Sequence, residues 1–218
     1  MNALISQRED VDKYGVPIDS LESSYISYFE SLGCNLFPVS NYIKNVEYLF
    51  EQNIQLLILT GGGSVSGNFY YPAKTECNAG NRDFVEKQLF EKAVKENIPI
   101  LAICRGMQYI NGLLGGNISV LSNLPVPRQI GAEHPVYFGH DIIHVNNYHN
   151  DGIYLSQLAK GLTAIGVDTE NQIVECYISQ TPKILAMQFH PERGFSDLLS
   201  QKRIKKIIQD FIENKNKE

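Results

Sequence analysis

Ile100-Leu101-Ala102-Ile103-Cys104-Arg105-Gly106-Met107-Gln108 is the stretch that decides how this 218-residue chain is read. Four apolar residues in a row read as a strand buried on both faces, and the pattern after them turns at once to helical spacing over about 105–114. A Cys on so tight a strand-to-helix turn, with a Gly two places on, has the layout of a nucleophile elbow. The turn lifts the sulfur above the sheet, and the positive end of the helix dipole favours thiolate over thiol. On position alone, a small apolar Cys closing a buried strand is an equally good reading.

Working outward, 82–96 has the periodicity of a helix with Phe84, Leu89, Phe90 and Val94 inward, and Leu56-Leu57-Ile58-Leu59 is a second buried strand, ending at Thr60-Gly61-Gly62-Gly63. Before it come a strand at Ala3-Leu4-Ile5-Ser6, a turn at Tyr14-Gly15-Val16-Pro17 and a helix carrying Leu21, Tyr25, Tyr28, Phe29 and Leu32. That helix is expected to be capped by Asp19 or Ser20 and ended by Gly33. Leu36-Phe37-Pro38-Val39 is a further strand, and a short helix follows with Val46, Leu49 and Phe50. Strand and helix alternate, which predicts an α/β fold with a parallel sheet and right-handed crossovers. After Leu114 the pieces are extended: 142–145, 163–167, 173–178 and 184–189. They are expected to add antiparallel strands at the sheet edge. A last amphipathic helix places Leu198, Leu199, Ile204, Ile207, Ile208, Phe211 and Ile212 on one stripe. One domain over 1–218 is the simplest parse.

Composition closes off several classes. With 43% hydrophobic and 20% charged residues, the chain buries enough apolar surface to fold, which excludes disorder as its main state. Nineteen Lys and Arg against twenty-four Asp and Glu leave a net charge of −5 and no basic groove, so nucleic acid is not an expected partner. No leader and no apolar run of about 20 residues is present, so no membrane span and a cytoplasmic location are expected. Cys34, Cys77, Cys104 and Cys176 form no C-x-x-C pair, and all but Cys104 read as structural.

Met187-Gln188-Phe189-His190-Pro191-Glu192 is a second apolar strand ending in a His, with an acid two residues on. If it neighbours the Cys104 strand, the carboxyl ends of both lie together, where open α/β sheets gather their sites. His190 can then pair with the thiolate and later protonate a leaving amine, while Glu192 fixes the imidazole tautomer. The three glycines 61–63 let backbone N–H groups approach a ligand, as an oxyanion hole requires, the second donor being the N–H of Arg105. The run lacks the endings of a P-loop or a dinucleotide site. His134, His140, His144 and His149 have no acidic or Cys partner at ligand spacing, so no metal and no cofactor is expected. Arg82, Asp83 and Glu86 read as the solvated start of a helix, with Arg82 an additional candidate for substrate contact from beneath the long loop over 64–80. Tyr70, Tyr71 and Lys74 in that loop are candidates for the leaving group.

Taken together, Thr60-Gly61-Gly62-Gly63, Arg82-Asp83 with Glu86, Cys104-Arg105-Gly106-Met107-Gln108 leading to Asn111 and Gly115-Gly116, Asn146-Asn147-Tyr148-His149, and Gln188-Phe189-His190-Pro191-Glu192 resemble the class I glutamine amidotransferase-like superfamily. Within it the chain is most similar to the γ-glutamyl hydrolase and peptidase C26 group, over nearly its whole length. The resemblance implies a flavodoxin-like three-layer sandwich, Cys104 as nucleophile, His190 as base and acid, Glu192 as its orienter, and Gly62 with Arg105 as oxyanion donors. It also implies that Gly61, Gly63, Gln108, Asn147, Tyr148 and His149 meet the glutamyl substrate. One departure is visible: the usual Asn-Ser-x-His-x-Gln is here Asn146-Asn147-Tyr148-His149-Asn150-Asp151.

The implied reaction is hydrolysis of a γ-glutamyl amide through a Cys thioester. The chain also looks like the branch that frees cytidine diphosphoramidate from its γ-glutamyl conjugate in capsule modification. An Arg directly after the nucleophile is typical of stand-alone hydrolases, so no obligatory synthase partner is expected. The alternatives are a glutaminase subunit feeding ammonia to a synthase, a non-catalytic γ-glutamyl-binding protein and a redox-sensing thiol protein.

Overall fold

The computed structural model describes residues 1–75 and 80–213. In chain order its elements are β1 (Asn2–Ser6), β2 (Arg8–Val11), β3 (Pro17–Ser20), α1 (Ser23–Glu30), β4 (Asn35–Val39), β5 (Ile54–Leu59), α2 (Gly80–Lys95), β6 (Ile100–Ile103) and α3 (Arg105–Leu113). The second half holds β7 (Ser119–Val120), β8 (Glu133–Phe138), β9 (Asp141–Asn146), β10 (Asp151–Gly152), β11 (Thr163–Asp168), β12 (Ile173–Ser179), β13 (Ile184–Met187) and α4 (Leu198–Glu213).

Nine strands form one sheet in the order β4-β1-β5-β6-β13-β12-β11-β8-β9. The first five run parallel, and from β13 onward every neighbouring pair is antiparallel. This is the expected flavodoxin-like α/β sandwich. Successive strand residues point to opposite faces, so Leu57 and Leu59 pack with α2 and α3 through Leu89 and Met107, while Leu56 and Ile58 pack with α1 and α4 through Phe29 and Ile208. Both faces of β5, β6 and β13 are therefore covered, which is why these strands read as unbroken apolar runs.

Several local expectations give way. Asp19 and Ser20 do not cap α1: the Asp19 carboxylate accepts from Ser40 and Asn41, and the Ser20 hydroxyl donates to Asp10, which leaves Glu22 at the cap position. The segment around the 14–17 turn is a hairpin of β2 and β3. Phe84 points outward at 54% exposure, and Leu198 and Leu199 stand clear of the stripe that α4 buries. Cys34 and Cys176 are buried as expected, while Cys77 lies outside the described residues. Among the described residues no helix is long and apolar enough to cross a membrane.

Candidate active site

β6 and β13 are hydrogen-bonded neighbours in register, Met187 opposite Ile103, so the residues that follow them emerge side by side. Cys104 takes φ 52° and ψ −106° between β6 and α3. A non-glycine residue at positive φ costs about 1–3 kcal/mol and persists only where its surroundings hold it there. Here its N–H donates to Met187 O at 2.7 Å and its carbonyl accepts from Gln108 N at 3.2 Å. Gly106 allows the close approach beneath: a Cβ there would sit 2.5 Å from the Leu59 carbonyl oxygen.

His190 meets the sulfur from β13. Its Nδ1 lies 2.6 Å from Glu192 Oε1, so Nδ1 carries the proton and Nε2 is left for the thiol. Asn146 clamps the same residue, accepting from His190 N at 2.9 Å and donating to His190 O at 2.8 Å. Burial presses the imidazole toward neutrality, but the hydrogen-bonded Cys104 sulfur and the Glu192 carboxylate outweigh it and hold His190 at about 9. The imidazole thus stands between the Cys104 sulfur and the buried Glu192 carboxyl, with its Nε2 toward the sulfur. Gly61 forms the floor: a Cβ there would lie 2.7 Å from His190 Cε1 and 3.2 Å from Cys104 Cβ. Burial and the nearby Glu192 charge push the Tyr25 phenol well up, which keeps it neutral as it accepts from Gly61 N at 2.9 Å.

The N–H groups of Gly62 and Arg105 have no protein acceptor among the described residues, so both are available to an oxyanion. The side chains around them form a buried network. Glu86 accepts from Arg82 Nε at 2.8 Å and, through its other oxygen, from Arg105, which also pairs with Asp83 and donates to Ser64 O. Arg82 spends its remaining N–H groups on the carbonyls of Thr60, Gly61 and Gly62. Burial raises Glu86, but Arg105 and Arg82 outweigh it and hold its carboxyl below the usual range.

This corrects three expectations. The Arg82, Asp83 and Glu86 cluster is not a solvated helix start, because Arg82 and Glu86 are sealed by Arg105 from a different helix. Arg82 has no group left for substrate. Gly61 has neither polar group free, its N–H being held by Tyr25 and its carbonyl by Arg82, whereas Gly63 faces open space.

Across Cys104, Gln108 Nε2 donates to Asp151 O at 2.9 Å and to Gln188 Oε1 at 3.1 Å, and Gln188 Nε2 lies 3.6 Å from Cys104 Sγ. His149 Nδ1 reaches the same Asp151 carbonyl at 3.0 Å. Its Nε2 lies 3.6 Å from Glu175 Oε1, and His134 Nε2 lies 3.4 Å from that oxygen. An acidic partner for two of the histidines therefore exists, brought by β12 from far along the chain, yet among the described residues no three such side chains are set to hold a metal. The side chains of Asn147, which donates to Gln129 O, and of His149 are buried, and among the described residues Asn147 Oδ1 and His149 Nε2 find no hydrogen-bond partner. Tyr148 is partly exposed, its ring centroid 5.9 Å from that of His190 and 4.4 Å from the Arg193 guanidinium carbon. In the long loop Tyr70 is buried, its hydroxyl 2.7 Å from Asp151 Oδ2, beside Lys74 at 3.2 Å from Oδ1, so it ties the loop down instead of facing the cleft. Sequence reasoning gave no role to Asn146, Gln188 or Glu175; all three lie in or beside strands whose motifs were read for their neighbours.

Residues 5–192 match the peptidase C26 family. The chain belongs to this family. A Lactococcus lactis protein described as glutamine amidotransferase-like, YvdE, is 31% identical over 193 residues, 78% of this chain and 79% of its own. The Campylobacter jejuni gamma-glutamyl-CDP-amidate hydrolase is 32% identical over 144 residues, covering 66% of this chain and 65% of that enzyme. A solved glutamine amidotransferase from Thermotoga maritima is 18% identical and superposes with a TM-score of 0.61 over 98% of this chain and 90% of its own, a likeness of fold. Membership in the C26 family supports a hydrolase of C–N bonds.

Proposed function

We propose that this chain is a stand-alone hydrolase of γ-glutamyl amides, with γ-glutamyl-CDP-amidate as its substrate and capsule modification as its setting. The observation that carries the reading is the buried line Cys104, His190, Glu192 together with the N–H groups of Gly62 and Arg105, which find no protein acceptor among the described residues. The thiolate attacks the δ-carbon of the glutamyl group, and the oxyanion is held by the N–H groups of Gly62 and Arg105. The C–N bond breaks as His190 Nε2 gives its proton to the departing nitrogen. Water then surrenders a proton to His190 and attacks the thioester, freeing glutamate and restoring the thiolate. With a phosphorus-bearing nitrogen the other product is an amidate, here cytidine diphosphoramidate.

The Campylobacter relative, named for that conjugate, supports the substrate. The experiment is glutamate release by the isolated protein from glutamine and a panel of γ-glutamyl amides that includes the nucleotide amidate. Strong turnover of the amidate with little of glutamine is expected, and Cys104→Ala should retain less than ~1% of it. Glutamine turnover that rises only when a synthase is added would overturn the reading in favour of an ammonia-supplying subunit.

A further inference from the structure

We propose that Gln188 is a further catalytic residue, an N–H donor to the Cys104 sulfur, and that Gln108 is the positioning residue that aims it. The proposal rests on Cys104 being the nucleophile and adds a second donor to the one His190 supplies.

The orientation of both amides follows from one atom. The Asp151 carbonyl oxygen can only accept, so the Gln108 group 2.9 Å from it is the NH2. The second hydrogen of that NH2 points to Gln188, 3.1 Å away, which makes the facing Gln188 atom its oxygen. Gln188 must then present its own NH2 to Cys104 Sγ, at 3.6 Å. The anchor is fixed in turn. The same carbonyl accepts from His149 Nδ1, and the Gln188 backbone N–H donates to Glu175 O at 2.9 Å. Gln188 is completely buried, so water does not substitute for the donor.

The other polar groups that face the sulfur are His190 and the neutral Tyr25, while the Arg105 guanidinium is turned away to Glu86 and Asp83. A donor aimed at sulfur bonds a thiolate more strongly than a thioester. It therefore favours the attacking form and again favours expulsion of the thiolate when the second tetrahedral intermediate collapses. This places Gln108 differently from the resemblance, which gives it to the substrate: here both its hydrogens are spent on the relay.

The test needs no substrate, so its failure is separable from failure of the proposed activity. Alkylation of Cys104 by iodoacetamide is followed by mass spectrometry from pH 4 to 9, with thermal melting as the folding control. Gln188→Met keeps length and removes the donor, and the profile should move to higher pH by about one unit, a tenfold change, as expected for losing a hydrogen bond to a charged group. Gln108→Met should move it the same way by less, because the Gln188 amide is then free to turn. A folded Gln188→Met with the wild-type profile overturns the proposal. A wild-type profile for Gln108→Met together with a raised KM overturns the aiming role and returns Gln108 to the substrate. Should Gln188→Met fail to fold, Gln188→Glu keeps the shape, and its carboxylate should shift the profile upward further; no shift overturns the proposal.

Discussion

Replacing Glu86 by Gln should be among the most damaging conservative changes this fold can suffer. Glu86 is fully buried, with one carboxylate oxygen on Arg82 and the other on Arg105, and both guanidinium groups are buried as well. The amide keeps the shape but turns an N–H toward one guanidinium and leaves two buried cations against the single Asp83 charge. Breaking a buried pair in this way costs about 3–5 kcal/mol. For a chain of this size each kcal/mol moves the melting temperature by about 2–4 °C, so a fall of roughly 10 °C is expected by calorimetry or circular dichroism. The pH dependence gives an independent reading. Because the folded Glu86 carboxyl sits below its ordinary value, its contribution is complete above the unfolded pKa near 4.5 and is lost as pH falls through the lower folded value. Asp83, raised mainly by its burial, works in the opposite sense. Glu86→Gln should therefore flatten part of the acid limb of the stability curve. A variant within 1 kcal/mol of wild type at pH 7 would refute the claim that the two arginines depend on this carboxylate.

Two further outcomes follow from the site. Gly61→Ala places a methyl 2.7 Å from His190 Cε1, so the imidazole must move and turnover of a γ-glutamyl amide should fall at least tenfold with KM little changed; wild-type kcat would show that the floor is not fixed. His190 stands at about 9 in the fold against an ordinary 6.5, so the stability it lends is complete below about pH 6.5 and is lost as pH rises through about 9. Cys104→Ala should weaken that alkaline loss, since the sulfur is the leading cause that raises the imidazole; denaturant midpoints between pH 6 and 10 measure it, and an unchanged alkaline limb would argue against the ion pair.

What the sequence made legible was what neighbours in the chain decide. The buried strands, the Cys104 elbow and the His190 to Glu192 spacing are local, and each is found where its pattern put it. Arg82 and Glu86, four apart on a helix, carry the same signal as a surface ion pair, and only the arrival of Arg105 from α3 buries them. His134, His149 and Glu175 come from β8, a loop and β12, so no spacing rule could have joined them. β8 itself was hidden by Pro135, which argues against a strand; it is tolerated because β8 pairs with β11 only at Tyr137 and Val167, leaving no ladder there for the missing N–H to break. The β2 and β3 hairpin was hidden as well, because its charged residues mask the alternation.

In the proposed reaction Arg105, directly after Cys104, gives its backbone N–H to the oxyanion, while its side chain is held by Glu86, Asp83 and the Ser64 carbonyl, so that N–H cannot drift without breaking a buried charge network. Arg82 does the same for the opposite wall, gripping the carbonyls of Thr60, Gly61 and Gly62, and it meets Arg105 on the one carboxylate of Glu86. The two N–H groups proposed as oxyanion donors are thus referenced to a single buried acid, as the Cys104 backbone is held at its strained φ. Preorganised donors are effective because they need no reorientation when charge develops. An Arg at this position is therefore mechanistically useful at its two ends at once, and a Lys, with one ammonium in place of a fork, could not span Glu86, Asp83 and Ser64 together.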